Sequence, residues 1–320
     1  MKAIVVSEFG PPEVLVVKEV PVPEPGADEV LVRIKAAGVN PVDTYLRSGN
    51  HAHAPKLPYV PGKDGAGTVE KCGDAVVRFQ PGDRVYTAGA VTGTYAEFAL
   101  CKEAQLGALP ANVSFAEGAG IWTPYATSYR GLFQKAQAKA GEMVLVHGAS
   151  GGVGTAAVQW AKAAGLRVLG TASSDAGREL AINSGAEHVF DHSQAGYLEE
   201  ISEYTGGKGV DIIIEMLANE NLEKDFDVLA MFGRIVVIGN RGSLQFTPRL
   251  AMTKDATIYG MSLFNAPAAD VMRIHEAIFD GLSSGSLKPF ISRSFSLEQA
   301  AEAHHAVIED KAQGKIIITP

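Results

Sequence analysis

Two patterning regimes divide the chain. Up to about residue 110, short apolar runs such as residues 29–35 and 67–70 alternate with the turn clusters PPEV, PVPEPG, PYVPGKDG and QPGD. Strand-length runs punctuated this often by Gly and Pro predict a compact, mostly β domain. From about Ser114 the pattern changes to helical periods alternating with short apolar strands, the signature of βαβ units and a parallel sheet. EMVLVH (142–147) reads as a buried strand. Residues 152–164 read as a helix, with Val153, Ala156, Ala157, Trp160 and Ala164 at helical spacing. Further strands are expected at 167–171, 188–190, 210–214, 234–238 and 257–261, with helices near 176–184, 195–204 and 222–230 between them. That makes six parallel strands. Beyond Asn265 come an amphipathic stretch at 268–282, the helix LEQAAEAHHAVIED and a closing strand GKIIIT. The tail is expected to pack back on the first domain, giving a discontinuous domain of residues 1–122 and 265–320 around an inserted domain of residues 123–264.

A length of 320 residues fits this count of two domains and allows a sizeable core without staples. The 28 basic against 36 acidic side chains leave a net charge of −8, so the long-range field repels polyanions and a nucleic-acid scaffold is disfavoured. Only Cys72 and Cys101 are present, too few for a disulfide framework or a four-cysteine zinc site, and a cytoplasmic, reducing setting is expected. The opening MKAIVVSEFG has no apolar core of a secretory signal, and no run of eighteen apolar residues predicts a membrane span.

The strongest chemical signal is VLVHGASGGVG, residues 144–154, leaving a strand and entering a helix. Ala149, Gly151 and Gly154 occupy the three small-residue positions of a GxGxxG dinucleotide fingerprint. Gly151 lets backbone approach a pyrophosphate, Gly154 lets the helix pack on the strand, and the amides of Gly152 and Val153 offer donors at a helix N-terminus. Ser150 in this loop is read as a phosphate or ribose contact. The next strand ends in LGTASSDAGR, with Ser173 and Ser174 where NAD-binding versions carry a carboxylate for the ribose 2′-hydroxyl. Small hydroxyls leave room for a 2′-phosphate, which favours NADPH. Asp175 reads as a helix-start acid, and Arg178 as either a phosphate contact or an exposed residue.

Other chemistries lack their residues. No GxSxG elbow occurs, and the two cysteines cannot assemble a catalytic zinc site. Cys101 reads as a buried core thiol and Cys72 as a turn residue. His51 and His53 form an HxH pair in a loop without a thiol or acid beside them, and the adjacent His304 and His305 must face different ways on their helix. Hydride chemistry fits these absences, because the cofactor carries the electrons and the protein positions the acceptor.

The stretches GVNPVDTYLRSG (38–49), LPYVPGKDGAG (57–67), GDRVY (82–86), YAEFAL (95–100), VLVHGASGGVG, GVDIIIEMLAN (209–219) and RIVVIGNRGS (234–243) together resemble the quinone oxidoreductases. These are zinc-lacking members of the medium-chain dehydrogenase/reductase superfamily, and NPVDTYLRSG with DIIIEMLAN is most similar to the zeta-crystallin-like branch. The resemblance runs in order through the whole chain. It implies an α/β protein: a GroES-like β domain and a Rossmann domain with a doubly wound, parallel six-stranded sheet. It also implies NADPH-dependent reduction of planar or ortho-quinones, by hydride or one-electron transfer, without metal. Asn40 stands where zinc-dependent relatives carry a ligand cysteine, and Lys63 and Asp64 where they carry a His and a Glu.

Carried over residue by residue, the resemblance puts Asn40 and Tyr45 at the nicotinamide and acceptor, in a cleft between the domains, as the catalytic candidates. It puts Ser150, Gly151, Gly152 and Val153 at the pyrophosphate and Ser173 near the adenine-ribose phosphate. His192 and Asn221 fall around the adenosine. Gly239, Asn240 and Arg241, with Met261, Ser262 and Leu263, approach the nicotinamide. Ser173 and the pair Trp122 and Thr123 depart from the residues expected in relatives, the latter where the acceptor pocket would be reshaped. Lys63 and Asp64 are read as a turn ion pair. Two rivals are reduction of the C=C bond of 2-enals or enones, and a structural or AU-rich-RNA-binding role. The resemblance further implies a homodimer or homotetramer, because in that family the edge strand corresponding to 257–261 pairs with its mate in a partner subunit.

Overall fold

The computed structural model describes residues 1–310 and 313–320. They fall into two compact units, one of Met1–Thr123, Phe279–Asp310 and Lys315–Pro320, the other of Pro124–Ile278 with the end of the 311–314 segment.

In the first unit a seven-stranded sheet is built around β3 (Glu29–Val39), numbered after a small antiparallel pair, β1 (Lys2–Val5) and β2 (Val16–Glu19). β4 (Asp64–Cys72), β5 (Arg84–Ala88), β6 (Phe98–Lys102) and β7 (Leu106–Ala108) follow. Register breaks at Leu31/Val32 and Ile34/Ala36 bend β3, so its first half pairs with β6 and its second half with the C-terminal strand. That strand, β15 (Lys315–Thr319), lies between β3 and β14 (Ile291–Ser296), so GKIIIT does return to the first sheet. Val30, Val32, Ile34, Val85, Tyr95, Cys101 and Ile318 share the core beneath it. At the end of β3 the chain turns at Asn40 into the helix Pro41–Arg47; Pro41 suits the first helical position because its missing N–H would have no partner there.

In the second unit six parallel strands run in the order β10–β9–β8–β11–β12–β13. They are β8 (Met143–Val146), β9 (Arg167–Thr171), β10 (His188–Phe190), β11 (Val210–Glu215), β12 (Leu229–Val237) and β13 (Thr257–Gly260). The order of connection reverses between β8 and β11. This is the doubly wound topology that the βα alternation predicts, and such sheets bind ligands beyond the strand ends at that reversal.

One stretch departs from the pattern. Instead of a helix over 222–230, two short helices, Ala218–Asn221 and Asp225–Val228, precede a strand that begins at Leu229. Helical spacing is present there, but Leu229 pairs with Val210 across the sheet. The register then breaks, with Phe232 at φ +63°, before Arg234 pairs with Ile212. Tertiary pairing overrides local period. Among the described residues no helix is long and apolar enough to cross a membrane.

Candidate functional site

The glycine-rich turn leaves β8 and enters the helix Gly152–Ala163. Gly148 adopts φ +58°, a conformation that glycine enters without strain. Gly154 is constrained by space: a Cβ there would stand 2.1 Å from the Gly148 carbonyl oxygen, so the helix start lies directly on the loop. Gly151 is the N-cap and no side chain caps the helix, so the first-turn amides, Gly152 and Val153 among them, have no helical acceptor. Ser150 is buried, and its carbonyl accepts from Gly314 N at 2.6 Å.

The other expected positions of this unit lie just past the ends of the remaining strands. Ser173 follows β9 and is half-buried; Ser174 caps the helix Asp175–Ser184, accepting from Gly177 N at 3.1 Å. Asp175 is exposed in the first turn and pairs with Arg178, which also reaches Asp191 at 2.8 Å. Arg178 is thus held between two carboxylates. His192 follows β10 and its Nδ1 lies 3.1 Å from Thr171 Oγ1. After β11, Asn221 donates to Glu215 Oε1 at 3.2 Å. Gly239 and exposed Asn240 and Arg241 follow β12; the Gly239 carbonyl accepts from Ala218 N, and Arg241 N donates to Asn219. Met261, which is buried, and Ser262 and Leu263 follow β13.

Sequence reasoning missed what lies beneath them. His147, Glu215 and Asp225 form a buried cluster at the β8–β11 reversal. His147 Nε2 lies 2.8 Å from Asp225 Oδ1 and 3.6 Å from Glu215 Oε2. Burial pushes Glu215 up to about 7, with His147 opposing and Asp225 adding to the rise. Burial works to lower the His147 pKa, but Asp225 and Glu215 together outweigh it and the net shift is upward. The residues are 68 and 10 positions apart along the chain, with no motif spacing to announce them.

In the first unit Asn40 and Asp43 are buried, and Asp43 Oδ2 accepts from Asn40 N at 2.9 Å, closing the first turn of the Pro41–Arg47 helix. The Asn40 carboxamide is held at both ends: Nδ2 donates to Asp64 Oδ2 at 3.0 Å, and Oδ1 accepts from the ammonium of Lys315. Asp64 is fully buried and also accepts from Thr123 N and, at 2.7 Å, from Thr123 Oγ1. Its counter-ion is therefore Lys315, at 3.3 Å, and not Lys63 as the adjacency of residues 63 and 64 suggested. Thr123 serves this carboxylate, and Trp122 is buried. Tyr45 is half-buried on the same helix, and its phenol makes no hydrogen bond among the described residues.

Residues 26–112 match the alcohol dehydrogenase GroES-like domain, and residues 152–278 match the family described as zinc-binding dehydrogenase. Quinone oxidoreductase from Homo sapiens is 46% identical over 320 residues, 99% of this chain and 97% of that protein. The chain belongs to the quinone oxidoreductase family. The crystal structure of Escherichia coli quinone oxidoreductase complexed with NADPH superposes with a TM-score of 0.91 at 30% identity, covering all of both chains. A more distant relative, 2-haloacrylate reductase from a Burkholderia species, is 30% identical over 99% of this chain and 98% of its own.

The zinc that the second domain description implies does not fit the donors of this member of the quinone oxidoreductase family. Around Asn40 and Asp64 the buried cation is the Lys315 ammonium. His147, Glu215 and Asp225 offer donor atoms within 4.8 Å of one another. However, the 2.8 Å contact of His147 with Asp225 is a direct hydrogen bond. Neighbouring ligands of a zinc ion bound at 2.0–2.1 Å stand about 3.3 Å apart.

Proposed function

We propose that this protein is an NADPH-dependent reductase of quinones that works without a metal ion. The observation that carries the reading is the glycine turn at the sheet's reversal point, followed by a strand end with Ser173 and Ser174 and no carboxylate. The first-turn amides at Gly152 and Val153 suit a pyrophosphate, and the Ser174 hydroxyl, which uses a lone pair on Gly177 N, keeps its hydrogen for a 2′-phosphate oxygen. Bound NADPH would supply the reducing electrons. The chain's residues bind and orient: Ser150 to Val153 at the pyrophosphate, Ser173 at the ribose phosphate, His192 and Asn221 at the adenosine. Gly239 to Arg241 and Met261 to Leu263 serve the nicotinamide. The unengaged phenol of Tyr45 is available to an acceptor oxygen. Asn40 reaches the reaction by holding the start of Tyr45's helix, since its own carboxamide is engaged with Asp64 and Lys315.

A reduced quinone delocalises its charge, so no strong acid is needed beside it. Reduction of an activated C=C bond is the second reading, favoured by the 2-haloacrylate reductase among the relatives; there an enolate must be protonated and Tyr45 becomes the donor. Purified protein is tested with NADPH and NADH against ortho-quinones and 2-enals. Rapid NADPH oxidation with quinones is expected, with NADH at least tenfold poorer. Turnover of enals with none of quinones would establish the second reading, and equal use of NADH would remove the cofactor preference. A radical trapped by spin resonance during turnover distinguishes one-electron from hydride transfer. Full activity after exhaustive chelation is expected of a metal-free enzyme.

A further inference from the structure

Thr171, at the end of β9, joins two histidines through one hydroxyl. Its Oγ1 lies 3.2 Å from Gly148 N, 3.3 Å from His147 Nδ1 and 3.1 Å from His192 Nδ1. A hydroxyl has one hydrogen to give and two lone pairs to accept with. Gly148 N–H can only donate, so it takes one lone pair. One hydrogen and one lone pair remain for two imidazole nitrogens. One ring must therefore donate and the other accept, and the protonation of the two Nδ1 atoms is mutually exclusive.

The choice is made at the far side of His147. Its Nε2 faces Asp225 and Glu215, all three groups are buried, and Tyr197 is a further titratable side chain, a phenol that feels the charge of both carboxylates. Asp225, hydrogen-bonded to the enclosed ring, favours the imidazolium, and Glu215 adds to this in its ionised form, in agreement with the upward shift of His147. An imidazolium Nδ1–H must donate to Thr171. The threonine hydrogen then goes to His192 Nδ1. His192 is held neutral by its own burial and by the charge of His147, so its single proton sits on Nε2.

We propose that Asp225 and His147, acting through Thr171, are positioning residues that fix His192 as a hydrogen-bond donor to an acceptor oxygen on the adenosine half of NADPH. This rests on the reading that His192 adjoins the adenosine. Were His147 a neutral, Nε2-protonated ring, the same count would reverse His192 into an acceptor, mismatched to ribose-phosphate oxygens. Asn221 is held from the same cluster through Glu215, so both adenosine candidates are anchored to it.

The test is ¹⁵N-histidine NMR of the full chain at pH 7, with His192 assigned by loss of its signals in His192→Gln. An Nε2-protonated His192 and a doubly protonated His147 are expected without cofactor. Thr171→Val should release His192 to a mixture of tautomers and weaken NADPH binding about tenfold, while Thr171→Ser retains both within about threefold. An Nδ1-protonated His192, or an unchanged tautomer in Thr171→Val, would overturn the relay. Addition of NADPH should move the His192 Nε2 resonance with the tautomer kept. A correct tautomer that ignores saturating NADPH would leave the relay intact and overturn its assignment to the cofactor.

Discussion

Asp43, Tyr95 and His304 form a buried chain with one consistent direction of donation. Arg47 lies 3.4 Å from His304 Nδ1 and can only donate, so Nδ1 accepts and the ring proton sits on Nε2. Nε2–H then donates to the Tyr95 oxygen at 3.1 Å, and the Tyr95 hydroxyl donates to Asp43 Oδ2 at 3.4 Å. Burial, then Arg47, pushes His304 down to about 3; burial and the charge of Asp64 hold Asp43 up at about 6, against the Asn40 amide and nearby lysines. The two shifts act oppositely on stability. Between about pH 4 and pH 6 the folded Asp43 holds a proton that the unfolded chain has lost, so its contribution falls as pH rises, by about 1.4 kcal/mol per unit. Over the same window the unfolded His304 is protonated and the folded one is not, so its contribution rises by about the same amount. These two contributions oppose each other in the wild type. Relative to the wild type, urea midpoints at pH 4, 5 and 6 should show Asp43→Asn gaining stability with pH and His304→Gln losing it; profiles for both variants that run parallel to the wild type would refute the assignment. His305, one position on, is exposed between Glu13 and Glu309, as adjacent helix positions require.

The Lys315–Asp64 pair argues the same scale in free energy. Removing one partner of a buried pair leaves an uncompensated charge and costs about 3–5 kcal/mol, whereas exposed pairs contribute about 0–1 kcal/mol. Lys315→Met should therefore destabilise several-fold more in urea than Lys71→Met, whose partner Glu24 is solvent-exposed. The sequence could not announce this pair, because 251 residues separate its members and only the return of β15 beside β3 brings them together. A buried lysine in GKIIIT reads as a polar strand end. His147, Glu215 and Asp225 were hidden for the same reason: each sits in an apolar or helical run whose period explains the run without them.

At the scale of the element, local pattern was sufficient where neighbours in sequence are neighbours in space. The strand 142–147, the glycine turn and the following helix are one continuous unit, and their limits as built, Met143–Val146 and Gly152–Ala163, fall within a residue of the periodicity. The helical stretch beyond Trp122, with turns of π character at Trp122–Ala126 and Arg130–Lys135, was not legible, because its polar atoms are satisfied by distant partners: Tyr125 donates to Gln159, and Trp160 Nε1 to the Tyr125 carbonyl. The turn itself makes a sharp prediction. Gly154→Ala puts a methyl 2.1 Å from the Gly148 oxygen, so the helix must withdraw from the loop and carry its first amides with it. Overpacking of this kind costs about 1–3 kcal/mol. Fluorescence titration should show NADPH binding weakened by tenfold or more while the variant still folds at 25 °C. Undiminished affinity would mean that this turn is not the pyrophosphate site.

For the whole molecule, assembly turns on the edge of the second unit's sheet. Among the described residues β13 pairs only with β12, so one row of its N–H and C=O groups has no strand partner there. Edges are ordinarily guarded by Lys, Pro or an inward charge, yet this strand reads TIYG with none of these, and Thr257, Ile258 and Gly260 are exposed. A two-fold axis beside it would pair β13 antiparallel with its own copy and extend six strands to twelve, satisfying the row in an isologous contact. On this argument at least a dimer is expected, near twice 33.7 kDa by sedimentation equilibrium. Ile258→Lys places a charge on that edge, where two copies would meet close to the axis and repel. It should shift the distribution to monomer without loss of thermal stability in the individual units. A monomeric wild type at micromolar concentration, or an Ile258→Lys variant that sediments unchanged, would show that the edge is left to solvent.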